Sequence, residues 1–102
     1  MDERLLGQLE RIAAAGIQLL PTPGVERHFV FERAGCVVLV ERGEQGFGGI
    51  GSPGALTQNG FEALVEREDG AYFVFKGEQR RAPAEQAEAA RALLRDLRQA
   101  LI

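Results

Sequence analysis

The stretch that decides the fold is Phe29-Val30-Phe31-Glu32-Arg33-Ala34-Gly35-Cys36-Val37-Val38-Leu39-Val40. In its first half Phe29 and Phe31 alternate with His28, Val30 and Glu32, and period two is the signature of a strand whose two faces differ. Ala34-Gly35 then interrupts the pattern. Cys36 to Val40 is a continuous, β-branched run, which reads as a central strand covered on both faces. The spacing predicts a hairpin of residues 27–33 and 36–42, and a two-residue turn at Ala34-Gly35 would set Arg33 against Cys36 and His28 against Glu41.

A second hairpin is expected further on, with residues 61–68 and 71–77 flanking Asp69-Gly70, because both turn residues tolerate positive φ. Tyr72-Phe73-Val74-Phe75 reads as a strand. Asn59-Gly60-Phe61-Glu62 also resembles a helix capping box, and Phe61, Leu64 and Val65 fit a helical face. The strand is preferred because an aromatic partner strand follows directly. On it, Glu62, Glu66 and Glu68 alternate and read as a solvated face. Between the hairpins, Gly43 to Gly54 is glycine-rich, and a middle strand through Phe47 to Ile50 is allowed there, with glycines at bulges or close approaches. Leu39-Val40-Glu41-Arg42 recurs as Leu64-Val65-Glu66-Arg67, a match that strand composition alone can generate.

Working outward, both termini switch to a helical period. Residues 2–15 place Leu5, Leu6, Leu9, Ile12 and Ala13 on one face, with Asp2 as a cap and Gly16 as a stop. Ile17 to Leu20 is a brief strand or an anchored connector, and Pro21-Thr22-Pro23-Gly24 breaks the chain. Residues 83–101 form the last helix, with Pro83 at its first position and a stripe of Ala87, Ala90, Leu94, Leu97 and Leu101, Leu93 lying beside it. The expected architecture is a single α+β domain over residues 1–102. Its antiparallel sheet has four to five strands in the order α-β-β-(β)-β-β-α, with both helices on one face. With 102 residues there is no room for a second domain.

Composition excludes several function classes. Hydrophobic residues at 45% and charged residues at 26% are ordinary for a folded domain. A net charge of −3 argues against a large phosphate-binding surface, so no nucleic acid is expected. Eleven of the twelve basic residues are arginine, which reads as the codon bias of a GC-rich bacterial or archaeal genome. The only cysteine, Cys36, permits neither an internal disulfide nor a cysteine metal cluster, and it reads as a core residue. No cofactor or metal is expected. Met1-Asp2-Glu3-Arg4 lacks the pattern of a signal peptide and no apolar run approaches ~20 residues. The expectation is therefore a cytoplasmic protein with no membrane segment.

Gly46-Phe47-Gly48-Gly49-Ile50-Gly51 matches the spacing of a dinucleotide fingerprint. Ser52-Pro53-Gly54 follows where a helix would have to begin, so the match is a product of glycine density. Ser52 lacks the first glycine of a nucleophile elbow and reads as a turn serine. No catalytic residues are assigned. The first functional expectation is a small non-enzymatic binding or assembly module acting as a homodimer, because apolar strand faces outnumber what two helices cover. An alternative is a ligand site between the glycine-rich segment and the sheet, formed by Phe47, Gly48, Gly49, Ile50, Ser52, His28 and Tyr72. An anion site at Arg80 and Arg81 is a further alternative.

Overall fold

The computed structural model describes residues 2–102. Its elements are α1 (Glu3–Ala14), β1 (Gln18–Leu20), β2 (His28–Arg33), β3 (Cys36–Gly43), β4 (Gly46–Thr57), β5 (Gly60–Arg67), β6 (Gly70–Phe75), β7 (Glu78–Arg81) and α2 (Ala84–Ala100). All strands pair antiparallel with their chain neighbours, giving one sheet in the order β1-β2-β3-β4-β5-β6-β7. The class is α+β as expected, but the strands number seven, not four to five. The additional ones are the three-residue β1 and the wholly polar β7, Glu78-Gln79-Arg80-Arg81, whose pairing no hydrophobic alternation announces.

The first hairpin has the anticipated register, Arg33 opposite Cys36 and His28 opposite Glu41. Ala34 and Gly35 both take positive φ, 56° and 82°, the conformation of a type I′ turn. Residues 60–67 are a strand and not a helix. The second hairpin closes differently from its expected turn. Arg67 pairs with Gly70, so the loop residues are Glu68 and Asp69, and Gly70 enters β6 at φ 144°. The pairing slides by two residues, which leaves every side chain on the same face.

Alternation along these ladders sorts the side chains. Phe29 and Phe31, Cys36, Val38 and Val40, Leu64, and Ala71 and Phe73 share one face, and α1 and α2 lie on it. The core is there, with Phe31, Val38, Val40, Phe73, Leu93 and Leu97 each at most 1% exposed. Helix α2 contributes Ala87, Ala90, Leu93, Leu97 and Ala100. Leu93, not Leu94, is the centre of its stripe, and Leu94 is only partly buried. Pro83 is one residue outside the helix, at the N-cap with φ −57° and ψ 143°. In α1 the buried residues are Gln8 and Ile12, while Leu6 is 47% exposed, so the expected apolar face turns only in part toward the core.

Gln8 has a positive reason to be buried. A helix ends with carbonyls that lack intrahelical partners. Gln8 Nε2 donates to the carbonyl of Leu101 at 3.0 Å, and Arg11 donates to those of Ala100 and Ile102 at 3.0 and 2.9 Å. The first helix thereby caps the last one. Asp2 caps α1 in turn, its Oδ1 accepting the Arg4 N–H at 2.8 Å.

Candidate functional site

The free surfaces of the sheet are its edges and its helix-free face. Strand β4 is long enough to create an edge in the middle of the sheet. It pairs with β3 from Gly46 to Ala55 but with β5 only from Gly54 to Thr57. The break falls at Pro53, for a reason that the register supplies. A two-residue loop closes on a hydrogen-bonded pair, here Thr57 and Gly60. Counting back in steps of two, Ala55 and then Pro53 turn their backbone groups toward β5. Proline has no N–H to give, so the ladder stops one residue before it.

Residues 46–52 of β4 therefore have β3 on one side and no strand on the other. Two register shifts, between Val38 and Val40 and between Val40 and Arg42, each add one β4 residue relative to β3. A Cβ built at Gly51 would stand 3.1 Å from the Leu39 carbonyl oxygen, and one at Gly48 3.1 Å from that of Glu41. These glycines mark two bulges, as the glycine density suggested. Bulges and the proline break the two-residue repeat that an added strand would need, which blunts this edge. Edge β1 is three residues long with Pro21 and Pro23 after it, and β7 carries Glu78, Arg80 and Arg81. All three edges are protected.

The helix-free face is different. On it lie Leu20, Val30, Val37, Leu39, Phe61, Ala63, Val65, Tyr72 and Val74, with Leu56 at 44% exposure. Val30 and Val37 are 2% and 1% exposed, and the others are partly open to solvent apart from the exposed Leu56. A Cβ at Gly54 would overlap the Glu62 carbonyl oxygen and also stand 2.8 Å from Phe61 Cε2, so that position requires glycine. Charged groups flank this apolar field. Glu32 and Glu41 stand on the β2–β3 side, and Arg67 and Arg81 on the β5–β7 side.

The ligand residues read from the sequence do not gather at one point. Phe47 and Ile50 lie on the helix side, where the Phe47 ring meets Phe29 and Phe31 edge-on at 5.2 and 5.7 Å between centroids. His28 and Tyr72 are on the opposite face, on β2 and β6 with three strands between them. Gly48, Gly49 and Ser52 are exposed along the bulged edge. The glycine-rich turn does line a notch of about 220 Å³ with Asp2, Arg4, Leu5 and Gln8, but His28 and Tyr72 are not part of it.

Arg80 and Arg81 are neighbours in a strand, so they take opposite faces. Arg80 bonds Glu62 at 3.0 Å and stacks on Phe73 at 4.6 Å. Arg81 donates to the Tyr72 hydroxyl at 3.3 Å and to the Asp69 carbonyl. Of the glutamates expected on a solvated face, Glu66 and Glu68 are exposed, Glu66 pairing with Arg91 of α2 and Glu68 in the turn, whereas Glu62 is 8% exposed on the helix side. No local pattern marks Glu62 as buried, because its partner Arg80 lies 18 residues away.

The titratable groups of the sheet are tuned by their partners. The Tyr72 hydroxyl is pushed above its usual value chiefly by its hydrogen bond to Asp69, which is lowered by the same bond. The Cys36 thiol is pushed up, first by burial and then by Glu32, against a smaller opposite pull from Arg33. Its Sγ faces the Gln86 carbonyl at 3.6 Å under α2. A raised, covered thiol is a packing group and not a nucleophile. Among the described residues no three metal-ligating side chains cluster, and no helix is long and apolar enough to cross a membrane. No family model, curated protein or solved structure matches the chain.

Proposed function

We propose that this chain is a small, non-catalytic binding or assembly module that works as a homodimer. The observation that carries the reading is the asymmetry of the sheet. Both helices cover one face, and the other presents an apolar field with Leu56 exposed at its end beside the β4–β5 turn. Contiguous apolar surface of this kind marks an interaction site, and closed two-fold dimers are the commonest way to bury it. The protected edges favour a face over strand addition as the contact surface. A non-catalytic role is supported by the placement of the polar residues. His28 and Ser52 lie on strands separated by β3, and Cys36 is buried on the far side.

Light scattering on a concentration series tests the proposal. The expected mass is twice the 11.1 kDa of one chain at high micromolar concentration. A mass of one chain across the whole series would sink it.

A further inference from the structure

We infer that two copies pack helix-free face to helix-free face about a two-fold axis running along β4, with Glu41 of each copy meeting Arg67 of the other. This rests on the homodimer proposal and specifies its contact. The register supplies the geometry. Val37, Gly54 and Ala63 share one row across β3, β4 and β5. β3 and β5 run parallel, so counting two and four residues along each by the strand rise, past the point where β4 leaves β5, sets Leu39 level with Val65 and Glu41 with Arg67. Rotation about β4 exchanges β3 with β5 and β2 with β6. Leu39 then packs on the partner copy's Val65, while Leu56 sits on the axis against its own counterpart. Sheets packed this way stand ~10 Å apart with strands aligned to within about 30°.

Charge selects this axis over the alternative. A two-fold perpendicular to the strands would lay β2 and β3 over themselves, acidic strands on acidic strands, and the arginine-bearing strands likewise. The axis along β4 brings the β2–β3 side, with Glu32 and Glu41, over the β5–β7 side, with Arg67 and Arg81. Glu41 and Arg67 are exposed, and neither forms an ion pair within the chain among the described residues. They are available to a second copy, and opposite charges across an interface fix its register.

The experiment is a charge swap read by sedimentation equilibrium, with circular dichroism as the check of folding. Glu41→Arg and Arg67→Glu should each raise the dimer dissociation constant about 10-fold or more. The double variant Glu41→Arg/Arg67→Glu should recover most of the loss, which damage to the fold would not do. Leu56→Asp, on the axis, should leave a folded monomer. If the wild-type chain is a monomer at every concentration, the homodimer proposal fails and this contact with it. If the wild type is a dimer but the single charge variants dissociate no more readily, or the double variant does not recover, or Leu56→Asp stays dimeric, this contact is overturned while the homodimer stands.

Discussion

The tetrapeptide Leu-Val-Glu-Arg occurs twice, at 39–42 in β3 and at 64–67 in β5, and the sheet uses the two copies with opposite faces. In β3 Val40 enters the core at 0% exposure, Arg42 stacks on Phe29 at 4.1 Å on the helix side, and Leu39 and Glu41 face away from the helices. In β5 Leu64 enters the core and Glu66 bonds Arg91 of α2, while Val65 and Arg67 face away. Four identical residues thus supply complementary halves of both surfaces. Period two states that neighbours in a strand part company, but which one goes inward depends on where the strand's partners and the helices lie.

The largest contrast should come from one substitution made in both copies. Leu64→Ala opens a cavity under α2 and should cost about 2–5 kcal/mol of stability, whereas Leu39→Ala should cost roughly 1 kcal/mol, since part of that side chain already meets water. Urea unfolding at a concentration low enough to keep copies apart measures both, and equal losses would show that the facing is misassigned. The arginines sharpen the comparison at a smaller scale. Arg42→Ala removes a cation stacked on Phe29 and should cost about 0.5–1 kcal/mol, while Arg67→Ala, whose guanidinium is 5.9 Å from the Tyr72 centroid at an exposed position, should leave the monomer's stability unchanged.

The glutamates separate by acid response. Glu66 is held below its usual value, first by the hydrogen bond from Arg91. A carboxylate lowered in the folded state adds stability that is fully present above its unfolded pKa and is lost as pH falls through the folded one. Thermal melts should therefore show a smaller drop on acidification in Glu66→Gln than in the wild type, by a modest amount because the pair is exposed. The smallest expected signal is at Cys36. With its thiol raised and covered, iodoacetamide should label it only after denaturant is added.

The parts of the fold that were readable are those where one local cause suffices. Ala34-Gly35 specifies a tight turn from two residues, and Asp2 and Gly16 bound a helix by capping it. The candidate surface was readable only as a surplus of apolar strand positions. Nothing local identifies Leu56, Phe61, Val65 and Val74 as neighbours of Leu39, because that adjacency arises from ladders between separate segments. The glycine-rich segment shows the same division. Its density announced bulges, yet the reason β4 departs from β5 emerges only when the Thr57–Gly60 closure shows which way Pro53 would have had to donate.

By itself the amino-acid order determined that both ends coil and the middle extends, where the first hairpin turns, and which residues within a strand share a side, since steric limits and hydrogen bonding act over a few neighbouring residues. Tertiary structure alone decided that seven strands join in chain order, that Glu62 and Glu66 find Arg80 and Arg91, and that both helices settle on one side and leave the other apolar. Those outcomes depend on contacts between groups many residues apart, whose net free energy is settled by the packing of the whole domain.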